Sequence, residues 1–201
     1  MRTALSATEW LVGQTLVGAR LRDVRSVLSY LRGRPDLDGG RIALWGESFA
    51  APNPPDRNLA VPMDAEPYPN LAEPLGGLLA LFGALFEPDV RAVVVRGGLI
   101  GYDSLLRSPF CYVPHDALIP SALTMGDLPV LAAGLAPCAL RVQGLVDGLN
   151  REVAIDAMTQ ALEPARLAYD SSNAGSSLQL GPGRGSGGGA ARWLLEALRA
   201  D

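Results

Sequence analysis

The chain of 201 residues contains no lysine; its 17 basic side chains are all arginine. Together with the abundant Ala, Gly and Pro, this marks a GC-rich genome rather than a function. It also removes the cation that a P-loop needs, so the run Gly181-Pro182-Gly183-Arg184-Gly185-Ser186-Gly187-Gly188-Gly189 reads as a flexible Gly-rich loop (181–189) and not as a phosphate cradle. Cysteine is scarce. Cys111 and Cys138 are joined by no CxxC or His-spaced pattern, which argues against a metal site and leaves buried thiols, the favoured reading, or a single disulfide. No signal peptide follows Met1, which makes a cytoplasmic location the default expectation. The longest apolar stretch, Leu75 to Phe86, is too short for a bilayer and is expected as a buried helix, so no membrane partner is expected. The net charge of −4 argues against nucleic acid. Histidine occurs once, at His115.

What is present alternates. Leu11, Leu21, Val24, Leu28 and Leu31 recur at helical spacing and predict a helix over residues 8–31 with Thr8 as N-cap. Residues 41–45 form a short apolar strand. A proline-rich stretch fills 51–70, and a helix is expected at 71–86. The β-branched run Val90–Val95 reads as a buried parallel strand. After an irregular segment at 99–126 come a helix at 127–135, a strand at 139–145, a helix at 151–169, a weak strand at 177–180 and a helix at 190–200. Helix and strand in turn predict an α/β fold, a parallel sheet flanked by helices. The first strand is expected at the sheet's edge, followed in order by the second and third.

The chemistry concentrates at Gly46-Glu47-Ser48-Phe49-Ala50, directly after an apolar strand. A nucleophile elbow needs small residues two before and two after its serine, because the tight turn presses backbone against backbone. Gly46 and Ala50 supply them. Ser48 is then the candidate nucleophile, and the Phe49 backbone N–H a candidate oxyanion donor. The plainer alternative is a strand that ends in an ordinary turn.

The stretch RLRDVRSVLSYLRGRPDLDGGRIALWGESFA resembles the acetyl xylan esterase and dienelactone-hydrolase-like branch of the α/β-hydrolases, where a helix leads through an RPDVD-type linker to the nucleophile strand. DLPVLAAGLAPCALRVQGLVDG resembles the segment that carries the acidic triad member in that branch, which assigns the role to Asp147. Read from its residues alone, Asp147 is a turn aspartate before Gly148. The resemblance covers most of residues 9–165. It implies a single partial α/β-hydrolase domain over 1–201, with residues 51–70 and 99–126 as irregular or cap-like insertions. It also implies a serine esterase acting on small esters or acetylated carbohydrates, with no cofactor.

The sequence departs from that pattern in three places. The loop after the last strand, where the family carries its histidine, is GPGRGSGGG; a serine without a general base is a poor nucleophile. His115, in an irregular segment, could serve only in a non-standard arrangement oriented by Asp116 or Asp147, and is otherwise a structural or pocket-lining imidazole. Ahead of Ser48 there is room for one helix and a linker, with no HGGG-type oxyanion loop, so the expectation is a truncated hydrolase fold completed by a partner chain or a missing N-terminal segment. Pro52, Pro54 and Pro55 forbid a helix immediately after Ser48. Two functions follow: an impaired, truncated esterase, or a catalytically silent remnant with a structural or binding role.

Overall fold

A computed structural model describes residues 2–62, 64–185 and 187–199. Its centre is a four-stranded, wholly parallel sheet in the order β1 (Ile42–Glu47), β2 (Val90–Arg96), β3 (Ala139–Gln143), β4 (Leu178–Gly181). Three expected strands thus appear as neighbours in chain order, with β1 at the edge. Helices α1 (Arg2–Leu11), α2 (Leu16–Arg32) and α3 (Leu75–Phe86) precede β2. Helices α4 (Ala122–Met125) and α5 (Leu128–Ala133) lie between β2 and β3, α6 (Ile155–Ala161) and α7 (Glu163–Ser171) between β3 and β4, and α8 (Gly187–Ala197) follows β4. The fold class is α/β, as the alternation of elements implies.

Several boundaries differ from expectation. The helix expected over 8–31 is two helices. Thr8 lies inside α1 and donates its Oγ1 hydrogen to Ala4 O, whereas Thr15 is the true cap, its Oγ1 accepting from Gly18 N at 3.0 Å. The helix expected from residue 71 starts only after Pro74, whose ring suits the entry to a helix and not its interior. The span 151–169 divides into α6 and α7 at Leu162, with Pro164 in the first turn of the second. The last helix begins earlier than expected, at Gly187, and the expected end at Ala200 lies outside the described residues. The two cysteines are free thiols. Cys111 is exposed, contrary to the expectation of two buried thiols; Cys138 is half-buried, and burial raises its thiol to about 11.

The sheet's two faces are filled unequally. On one, Ile42, Val93, Val95, Leu140 and Val142 pack with Leu78 and Leu81 of α3, Leu128 of α5, and Met158 and Tyr169 of α6 and α7. Each fully buried aliphatic side chain there contributes roughly 1.5–3 kcal/mol. On the other, the cluster is Ala92, Val94, Ala190 and Trp193. The helical layer is tied down at its far end by Glu87, which receives Arg25 at 2.6 Å and Arg32 at 2.7 Å; these bonds hold its carboxyl below the usual range. Among the described residues, no helix is long and apolar enough to cross a membrane.

Candidate functional site

The residue after β1 is Ser48, at the carboxyl end of the sheet. Its N–H donates to Arg96 O at 2.9 Å, continuing the β1–β2 ladder by one bond. Two positions earlier, the backbone of Gly46 touches α3: a Cβ built on it would lie 2.0 Å from Gly76 O and 2.7 Å from the Gly77 Cα. Only glycine fits, because the obstruction is backbone and cannot rotate away. The sequence requirement for a small residue two before the serine is therefore a steric fact of this fold. The helix that meets Gly46 does not follow the serine directly. Residues 49–74 intervene as an excursion, and α3 returns to the strand afterwards.

That excursion is firmly anchored. Asn53, almost fully buried, donates through Nδ2 to Asn70 O (3.0 Å) and Leu149 O (2.9 Å), and its Oδ1 accepts from Asn70 N at 2.8 Å. Asn150, fully buried, donates to Ala51 O and Asn70 O. The Tyr112 hydroxyl closes the set on Leu59 O at 2.6 Å. The 51–70 insertion is thus tied to the loop that carries Asp147. Phe49, at the start of the excursion, is 85% exposed, and its backbone N–H has no hydrogen-bond partner among the described residues.

Ser48 is buried, and its Oγ makes no hydrogen bond among the described residues. His115 opens a short 3₁₀ turn (His115–Ala117), is exposed, and packs its ring 6.1 Å from that of Trp10 in α1. Asp147 follows the β3 loop. Its Oδ1 accepts from Leu149 N and Arg151 N, both at 2.9 Å, the bonding of a turn aspartate. No hydrogen bond links His115, Asp147 and Ser48 among the described residues. Asp147 faces an open cleft of about 610 Å³ with Asp103, Asp127 and Glu152. Asp127 braces that cleft's wall, accepting from Tyr102 N, Asp103 N and Leu128 N, so it caps α5 and the 3₁₀ turn Tyr102–Leu106 at once. Among the described residues, no group of three or more His, Cys, Asp or Glu is placed to hold a metal.

What does reach Ser48 is Arg184, from the Gly-rich loop after β4. Its Nη1 donates to Ser48 O at 2.8 Å. The guanidinium lies against Gly97, where φ is +67°; a Cβ there would be 2.7 Å from Arg184 Nε and 3.0 Å from Nη2. Polar contacts hold the loop in place. Arg96, 5% exposed, donates from Nε to Arg184 O (2.8 Å) and from Nη2 to Gly185 O (2.9 Å), while its Nη1 pairs with Glu47 Oε1 at 2.7 Å. Glu152 Oε1 accepts from Gly183 N at 2.9 Å. Among the described residues, a carboxylate hydrogen bond to this loop thus comes from Glu152, five residues beyond Asp147.

Arg184, Glu152, Arg96 and Glu47 were not singled out by the sequence patterns. Arg96 left one trace, as the charged residue that closes the apolar run Ala92-Val93-Val94-Val95; Arg184 left another, as the one ionisable side chain in the glycine run. No family model, curated protein or solved structure matches the chain.

Proposed function

We propose that this chain is an α/β-hydrolase-like domain of the acetyl-xylan-esterase type that no longer hydrolyses esters, and that its role is to bind or to scaffold. The observation that carries this reading is the occupant of the loop after β4. A triad serine needs an imidazole there to take its proton. Arg184 stands in that loop, bonded to the serine's own carbonyl. A guanidinium stays protonated across the working pH range and cannot act as a base. Glu152 meets the same loop as a carboxylate partner would, but it has no imidazole to orient.

The competing reading, a working esterase with Ser48 as nucleophile, Phe49 N–H in the oxyanion site, and Asp147 and His115 as the base pair, draws support from the Gly46–Gly76 contact alone.

Turnover of an activated acetyl ester, compared between wild type and Ser48→Ala, tests the choice. The two should agree within experimental error. A gap of more than about a hundredfold, the scale of a positioned general base, would restore the esterase; a further collapse in His115→Ala would name its base.

A further inference from the structure

The sheet has two edges, and they are not alike. β4 is four residues long and has α6 packed against it. β1 is six residues long, with β2 along one side and α3 over one face. Its backbone groups alternate in direction. Ser48 N–H points at β2, where it meets Arg96 O, so Gly46 and Leu44 face β2 as well, while Ala43, Trp45 and Glu47 turn their N–H and C=O groups outward. Those outward groups have no backbone partner among the described residues. Proteins blunt an open edge with Lys, Pro or an inward-pointing charge. The run Ile42-Ala43-Leu44-Trp45-Gly46 carries none of these. Trp45 is 37% exposed, and beside the start of the strand lies an open groove of about 290 Å³, lined in part by Leu31, Leu37, Arg41, Ile42 and Ala43.

The strand is also complementary to itself. Two copies that meet at this edge about a two-fold axis must run antiparallel. Outward residues must then oppose outward residues, since only those have free groups to exchange. Axes through Ala43, Leu44 or Trp45 meet that condition. The axis through Leu44 sets Arg41 opposite Glu47 of the partner subunit, and by symmetry does so at both ends of the joint. It also sets the small Ala43 opposite the large Trp45 of the partner subunit, on the face away from α3, and at the rim of the groove that Ala43 lines. An axis through Ala43 leaves Glu47 opposite Gly39, and one through Trp45 leaves it opposite Ala43. Both charges are within reach. The Arg41 side chain is 57% exposed and pairs only with its neighbour Asp38. Glu47 takes Arg96 on Oε1 and the Trp45 indole on Oε2, and a carboxylate has lone pairs for a further donor. We propose that β1 is the interface of a homodimer, in which two copies join edge to edge about Leu44 and continue one sheet into the other. The joint is independent of what Ser48 does.

Sedimentation velocity of the full chain over a concentration series, with amide hydrogen exchange at both ends of the series, tests the proposal. The expected species is a closed dimer that grows no larger with concentration. Its formation should slow exchange at Ala43 and Trp45 by at least about tenfold, while Leu44 and Gly46, already bonded to β2, stay protected throughout. Ala43→Pro removes an outward N–H and spares the β1–β2 ladder, so it should fold and stay monomeric. Arg41→Glu, a change at the surface, sets like charges opposite each other at both ends and should weaken the dimer at least about tenfold. A chain that stays monomeric up to about 1 mM overturns the proposal. So does a dimer in which Ala43 and Trp45 exchange as fast as in the monomer, or one that persists in folded Ala43→Pro. Assembly that keeps growing with concentration overturns the two-fold joint in favour of an open β1-to-β4 chain. If Ala43→Pro does not fold, Arg41→Glu decides, and an unchanged dimer there overturns the pairing of Arg41 with Glu47.

Discussion

The turn after β1 and the loop after β4 lie side by side at one end of the sheet, and they are held by different forces. The first is set by exclusion. Gly46 sits on Gly76 and Gly77 with no room for a single added carbon. The second is set by charge and hydrogen bonds. Arg96 grips Arg184 O and Gly185 O, Glu152 grips Gly183 N, and two donors of Arg184 remain unmatched among the described residues. A steric contact of this kind is at the same time a folding contact, so it tolerates no change. A polar loop is freer to exchange one side chain for another.

Three substitutions sharpen the contrast. The largest effect is expected from Gly46→Ala, which forces β1 and α3 apart; it should cost at least about 3 kcal/mol in urea unfolding or prevent folding altogether. If Gly46→Ala proves neutral, the contact is not the constraint described. Arg96→Met comes next. It leaves Glu47 unpaired and strips the β4 loop of its clamp, at about 2–3 kcal/mol. Hydrogen exchange should quicken at Gly183 and Gly185 while the Ser48 amide, bonded to the Arg96 main chain, keeps its protection; equal loss at both would mean the regions are one unit. The smallest change is expected from Arg184→Gln. It removes a desolvated charge along with its single bond to Ser48 O, so stability should move by less than about 1 kcal/mol by thermal or urea melts. A loss of several kcal/mol would make Arg184 a structural keystone and not a tolerated occupant.

The same contrast explains what could be read in advance. β1, β2 and β3 were legible within two residues at either end, because buried parallel strands are runs of apolar side chains bounded by turns. The tight packing at the end of β1 was legible because its requirement is local, a glycine, Gly46, two residues before Ser48. The break between α1 and α2 was hidden, since the apolar positions continue across it and Thr15 is no better a cap by type than Thr8. The contents of the site were hidden for a deeper reason. Arg96 meets Gly185 across 89 residues and Arg184 meets Ser48 across 136, and no periodicity records contacts of that range. Asp147 was legible as an aspartate before a glycine; which carboxylate would face the β4 loop depended on how residues 147–152 turn.

The asparagine contacts between the proline-rich excursion and the β3 loop bear on the order of events during folding. They join positions 96 and 99 residues apart, and the described residues of 51–70 form no helix or strand to hold them meanwhile. Closing a loop of that length costs entropy that is recovered only once both ends are in place. On a ribosome, residues 51–70 emerge long before Leu149 and Asn150 exist to receive them, so the stretch stays an open target for proteases until β3 has docked. The order of synthesis and the order of assembly run opposite ways in this segment, and its protection arrives with the second half of the chain.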